Sequence, residues 1–153
     1  RFQYSTSANQ IYVENFVRLL SLLEEQGVEV LVFFPPFANE VNERLRSMKG
    51  KYDYFEDVKI KLQENGIEFY DYTDATIVNS PDCEFLDGFH GGERTYMRIL
   101  RDLASRKPIL NNYVDIHKLD GYIQKGSGMA FYLDKEISNE KEIDFLGLGC
   151  SKK

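Results

Sequence analysis

Val28-Glu29-Val30-Leu31-Val32-Phe33-Phe34 is the stretch whose reading decides the fold. It is a near-continuous apolar run rich in β-branched residues, the pattern of a strand buried on both faces of a parallel sheet. Pro35-Pro36 follows at once, and neither proline can donate to a ladder, so the strand is expected to end there. Upstream, from about Asn9 to Gln26, Tyr12, Phe16, Leu19, Leu20 and Leu23 recur at helical spacing and predict an apolar stripe. Asn9 is placed to cap that helix, and Gly27 lies just past its last turn. Downstream, Val41, Leu45 and Met48 mark a shorter helix stopped by Gly50. A further helix is expected from about Tyr52 to Asn65, with Tyr54, Phe55, Val58 and Leu62 on one face and Gly66 closing it. Ile67-Glu68-Phe69-Tyr70-Asp71 reads as a second short strand, and Asp71 to Asp82 as a polar loop. Helix, strand, helix, strand with short connections is the mark of βαβ units, so the expected fold class is α/β with a mostly parallel sheet.

Outward from that layer lies Glu84-Phe85-Leu86-Asp87-Gly88-Phe89-His90-Gly91-Gly92-Glu93-Arg94. It reads as a short loop carrying Asp87 and His90 three residues apart, then two glycines, then an amphipathic helix with Tyr96, Ile99, Leu100 and Leu103 at i, i+3, i+4, i+7. A histidine can take and return a proton near neutral pH. To do so it presents one ring nitrogen to the reacting group and keeps the other on an orienting carboxylate. Asp87 and His90 are close enough for one loop to hold both, and Gly88 and Gly91 permit the tight backbone such a loop needs. Ligands of open α/β sheets gather at the carboxyl ends of strands, where this loop is expected. The plainer alternative is that Asp87 caps a turn and His90 is solvated at a helix start.

The rest of the chain offers weaker candidates. Arg94, Arg98 and Arg101 fall on the remaining helix surface; Arg94 and Arg98 are within reach of an anionic or sugar substrate, but a solvated charged face is the simpler reading. Pro35, Pro36 and Phe37 could line a pocket wall, against the simpler role of turning the chain. His117 is expected to be exposed without a role. Asn112 is expected to cap a late helix with Ile116, Leu119 and Ile123 inward and Gly126 past its end. Met129 to Leu133 is a candidate last strand, and 134–153 a loose tail.

Composition bounds these readings. A length of 153 residues suits about one domain. Hydrophobic content of 42% and aromatic content of 14% indicate a globular core. A net charge of -6 argues against a nucleic-acid binder, which needs a basic face. No apolar run is long enough to span a membrane, and no signal peptide is seen. The chain starts at Arg1, and the expectation is that it is cut from a longer protein. Cys83 and Cys150 could pair in an oxidising compartment, but two unrelated thiols are the favoured expectation. There is no Cys-x-x-Cys and no histidine cluster, so no zinc site is expected.

Asp87-Gly88-Phe89-His90, followed by Gly-Gly and an amphipathic helix, resembles the Asp-x-x-His block near the end of SGNH (GDSL-type) hydrolases and acyltransferases. The helix and strand over Phe16 to Pro36 are similar to the segment before that block in cell-envelope members, including alginate acetylation proteins and the D-alanyl transfer protein of teichoic acids. The similarity covers roughly residues 10–105, with Asp-x-x-His its one sharp motif. It implies a flavodoxin-like three-layer α/β/α fold, incomplete here. Residues 1–108 would be the C-terminal part of the SGNH-like domain, and 109–153 a helix, a strand and a tail packed on it. His90 would be the general base and Asp87 its orienting partner. A serine would attack the acyl carbonyl of an acylated or cell-surface carbohydrate substrate, without metal or organic cofactor, in an extracytoplasmic setting. The chain departs from the family in having no Gly-Asp-Ser block and no Gly-x-Asn block before the first helix. Ser5 and Ser7 lack the nucleophile's surroundings and read as loop or cap residues. A non-catalytic binding or assembly module on the same scaffold is the alternative. A flavodoxin-like receiver domain is weaker still, because Phe33-Phe34-Pro35 stands where acidic residues would be needed.

Overall fold

The structure, a computed structural model, describes residues 3–125, 128–131 and 144–150. Among these residues the helices are α1 (Gln10–Glu25), α2 (Asn39–Ser47), α3 (Tyr54–Glu64), α4 (Glu93–Arg106) and α5 (Ile116–Gln124), and the strands are β1 (Phe33–Phe34) and β2 (Tyr70–Asp71). The three-layer α/β/α arrangement is therefore wrong for this chain. The protein is mostly helical, and β1 and β2 form a two-stranded parallel sheet with Phe33 opposite Tyr70 and Phe34 opposite Asp71. Two apolar runs were read as full strands, but a parallel ladder extends only as far as partners exist on both sides. Val28–Val32 lies outside the ladder except for the Val32 carbonyl, which accepts from the Tyr70 amide at 2.9 Å. Phe33 stays 37% exposed, so β1 is not the doubly covered strand its composition suggested. The prolines end it as expected.

By its internal contacts the chain divides into two compact units, 1–34 with 43–71 and 35–42 with 72–153. In the first, α1 packs against α3. Asn9 caps α1, its side chain accepting from the Ile11 amide at 3.0 Å. The buried face of α1 is Val13 and Leu20, whereas Tyr12, Phe16 and Leu19 are 74%, 37% and 50% exposed. Of the expected stripe, Leu20 is buried and Leu23 half-buried, but Tyr12, Phe16 and Leu19 face outward. Val13, Val17 and Leu20 make a second i, i+4, i+7 row beside the first, and periodicity alone cannot say which one faces the core. Between α3 and the strands, Lys59 is buried except for 8% of its surface. Its ammonium bonds Asp71 and Glu56, each at 2.7 Å, and lies 5.7 Å from the Phe34 ring centroid, a buried cation held by two carboxylates and an aromatic face.

In the second unit the polar stretch after β2 is not a plain loop. It folds into two 3-10 turns, Ala75–Val78 and Asp82–Glu84, the first capped by Asp74 through the Thr76 amide at 3.1 Å. Ala38, Ala75 and Phe85 form a core cluster against which Val41 and Leu146 pack. The Asp82 carboxylate receives the amides of Asn39 and Glu40 at 2.6 and 3.0 Å, supplying negative charge at the start of α2. On α4 the buried apolar residues are Met97, Ile99, Leu103 and Ala104, while Tyr96 turns outward and stays 40% exposed. Helix α5 is capped by Asp115, which accepts from the Lys118 amide at 3.1 Å, rather than by Asn112. Asn112 instead closes a 3-10 turn that Pro108 begins. Leu119 is the buried residue of α5, and Gly126 lies outside the described residues. Met129–Phe131 forms no strand; Tyr132 and Leu133 lie outside the described residues. Of the expected loose tail, 144–150 is held down: Leu146 joins the core cluster and Cys150 is bonded to Cys83, so the thiols are paired rather than unrelated. The other tail residues, 134–143 and 151–153, lie outside the described residues. No described helix is long and apolar enough to cross a membrane.

Candidate acid–base site

The loop bearing Asp87 and His90 projects between the 3-10 turn Asp82–Glu84 and the start of α4. An antiparallel bridge between Phe85 and Gly91 closes its base. The Leu86 amide donates to the His90 carbonyl and the Gly92 amide to the Glu84 carbonyl, each at 2.8 Å. Inside this closure Asp87 organises the backbone. Its Oδ1 accepts from the amides of Phe89 at 3.0 Å and His90 at 2.9 Å, an Asx-type turn that a short acidic side chain makes readily. The other carboxylate oxygen, Oδ2, lies 2.7 Å from His90 Nδ1.

The glycines have distinct reasons to be there. Gly88 has φ +85°, in the left-handed region, and a Cβ on it would come within 2.8 Å of Val41 Cγ2. Its carbonyl also receives the Ala38 amide at 2.9 Å. Gly91 and Gly92 need no unusual φ; they are required by close approach. A Cβ on Gly91 would meet Thr95 Cγ2 at 2.9 Å, and one on Gly92 would meet the Ala130 carbonyl oxygen at 2.5 Å. Gly91 thus lets the first turn of α4 approach the loop, and Gly92 lets the segment at Ala130 come in beside it.

The sequence pair is therefore brought together. With a carboxylate as its partner, His90 Nδ1 must be the donor, which leaves Nε2 as the bare nitrogen. His90 keeps 72% of its side-chain surface exposed, and Asp87 keeps 35%. Partial burial raises the Asp87 carboxyl, but the bond from the His90 ring, the amides of His90 and Phe89, and the His90 charge together outweigh it, so the carboxyl lies below the ordinary aspartate value. Such a pair can hold a proton-accepting nitrogen open to a reacting group. Among the described residues no hydroxyl or thiol is bonded to that nitrogen. Nor do the described residues include a cluster of three or more histidine, cysteine or acidic side chains fit for a metal. The loop follows a 3-10 turn rather than a strand, which corrects its expected place at a sheet edge.

Two further expectations were wrong. Arg94 has no exposed surface and donates from Nη1 to the Met129 carbonyl at 2.6 Å. Arg98 keeps 15% of its side chain exposed and makes two bonds to Glu84, Nε to Oε2 at 2.7 Å and Nη2 to Oε1 at 2.9 Å. Glu84, wholly buried, is the residue that pattern reasoning missed. Its neighbours Ser80 and Thr95, also buried, were missed with it. The available signal was the i, i+4, i+7 spacing of Arg94, Arg98 and Arg101, which reads equally well as a solvated stripe until the carboxylate across from it is known. His117 is exposed, as expected. A cavity of about 230 Å³ opens elsewhere in this unit, lined by Asn79, Arg98, Arg101, Asp102 and Asp120 among others; neither Asp87 nor His90 borders it. No family, curated protein or solved structure was found to match the chain.

Proposed function

We propose that the Asp87–His90 loop is the acid–base arm of an SGNH-like serine esterase or O-acyltransferase acting on an acylated or carbohydrate substrate. The observation that carries this reading is the 2.7 Å contact between Asp87 Oδ2 and His90 Nδ1 on a ring whose side chain stays mostly exposed. In the reaction, Nε2 takes the proton of a serine hydroxyl as its oxygen bonds to the acyl carbonyl carbon. The imidazolium, steadied by Asp87, then returns that proton to the departing alkoxide as the carbon–oxygen bond of the ester breaks. The Cys83–Cys150 bridge is in keeping with an oxidising compartment, the setting of cell-envelope chemistry.

A specific observation favours a second reading. Asp87 Oδ1 already holds two backbone amides, so the carboxylate has a structural reason to be present even without a reacting histidine. On that reading the loop is part of a non-catalytic binding or assembly module. Neither Ser5 nor Ser7 has a nucleophile's surroundings, so on the enzyme reading the attacking serine is supplied from outside this chain. With that serine present, the two readings separate by labelling with a fluorophosphonate, which traps an activated serine, and by cleavage of an aryl acetate. The enzyme reading expects labelling and turnover that fall by at least about a hundredfold in His90→Ala, the usual scale of a general base. Full activity in the variant removes His90 from the chemistry. No labelling and no turnover with the serine present supports the module.

A further inference from the structure

We propose that Glu84 is the positioning residue of the acid–base loop, holding His90 in its productive orientation without touching substrate; this rests on the reading of Asp87 and His90 as a working pair. Asp87 shapes the turn through the Phe89 and His90 amides, but its contact with the His90 ring does not hold that turn in place. An ion pair as exposed as this one contributes little more than thermal energy, because water competes for both partners. The ends of the turn must therefore be fixed by the frame. The frame is a loop whose two ends meet at one buried residue.

Glu84 receives contacts on every acceptor it has. Its carboxylate takes Arg98 through both oxygens, Ser80 Oγ at 3.1 Å and the Gly128 amide at 3.3 Å. Its carbonyl takes the Gly92 amide at 2.8 Å and Thr95 Oγ1 at 3.0 Å. Ser80 and Thr95 share a further bond at 2.9 Å. The carbonyl contacts fix where α4 begins relative to the residue entering the loop, and the carboxylate contacts tie Glu84 to the second turn of α4 through Arg98. Phe85 and Gly91 are thereby set at bridging distance, and the turn from Leu86 to His90 is closed by contacts that do not involve the Asp87 and His90 side chains. A buried, fully bonded carboxylate is a costly way to make a loop, since loss of either partner strands a charge in the interior. Its position at the root of the exposed pair gives that cost a purpose: the group that cannot move determines where the exposed group points.

The test uses the two histidines of the chain, His90 and His117, as probe and control. Ring nitrogen shifts measured at alkaline pH report which nitrogen carries the proton. In the unaltered protein His90 should show the proton on Nδ1, while His117 shows the mixture of a free imidazole. Glu84→Gln should move the His90 shifts at least halfway toward those of His117 and raise amide exchange over 86–90 by tenfold or more, with His117 unmoved. A folded Glu84→Gln protein whose His90 shifts and loop exchange match the original overturns the proposal. If that variant does not fold, Thr95→Val and Thr95→Ser decide: the valine should shift His90 and the serine should restore it, and a valine variant with unshifted His90 overturns the proposal. Should Glu84→Gln shift His90 while His90→Ala keeps its esterase activity, positioning stands and the acyl-transfer reading alone falls. An unaltered His90 indistinguishable from His117 removes the pair and this proposal together.

Discussion

Reduction of Cys83–Cys150 should destabilise the second unit heavily. The bridge spans a sequence separation of 67, and the entropy of closing such a loop in the unfolded chain corresponds to about 4 kcal/mol. That is a large share of the roughly 5–15 kcal/mol that holds a typical domain together. The structure adds a reason for the full effect to appear. Leu146, four residues before Cys150, packs on the cluster of Ala38, Ala75 and Phe85, so the bridge also holds a segment that covers part of that core. The assay is urea unfolding of the oxidised protein, the reduced protein and a Cys83→Ala/Cys150→Ala double variant. It is followed by far-ultraviolet circular dichroism and tyrosine fluorescence, because the chain has no tryptophan. With a urea dependence of roughly 1–3 kcal/mol per molar, the midpoint should fall by more than about 1 M on reduction. Thiol titration of the unreduced, unfolded protein should find none. Two titratable thiols there, or coincident midpoints for the three forms, would refute the reasoning.

The remaining predictions concern single residues. Gly88→Ala must adopt a left-handed backbone and place its Cβ 2.8 Å from Val41, so it should cost at least about 1–2 kcal/mol in chemical denaturation. Ile99, 2% exposed on α4, should cost about 2–4 kcal/mol when cut to alanine, whereas His117→Ala should leave stability within about 0.5 kcal/mol. The Asp87 carboxyl is lower in the folded than in the unfolded chain, so its stabilising contribution is complete above the unfolded value near about 4 and is lost as pH falls through the folded value. Acid titration followed by circular dichroism should therefore show Asp87→Asn with a smaller loss of stability below about pH 4 than the unaltered protein, and equal slopes would remove that linkage.

What could be read from the sequence and what could not divide along physical lines. Helices were legible where local signals agreed: a cap and a closing glycine for α1, with Asn9 and Gly27, and an apolar stripe and a closing glycine for α3, with Gly66. Their faces were less legible, because α1 carries apolar rows on adjacent sides. The sheet was over-read. Val28–Phe34 has the composition of a covered strand, but pairing depends on residues far along the chain, and only Phe33 and Phe34 find partners. The Asp87–His90 contact was legible because three residues of separation and a flexible glycine constrain it locally. The Glu84–Arg98 pair was not, because it joins residues fourteen apart across a helix start, and nothing local distinguishes a buried arginine from a solvated one.

The exposed apolar row of α1 has a practical consequence. Tyr12, Phe16 and Leu19 meet water along one side of the helix while Val13 and Leu20 do the packing. Replacing the outer three with lysine or glutamate should therefore raise the concentration at which the protein stays dispersed, with little change in its melting behaviour. The same exchange at Leu20 should leave mostly insoluble material.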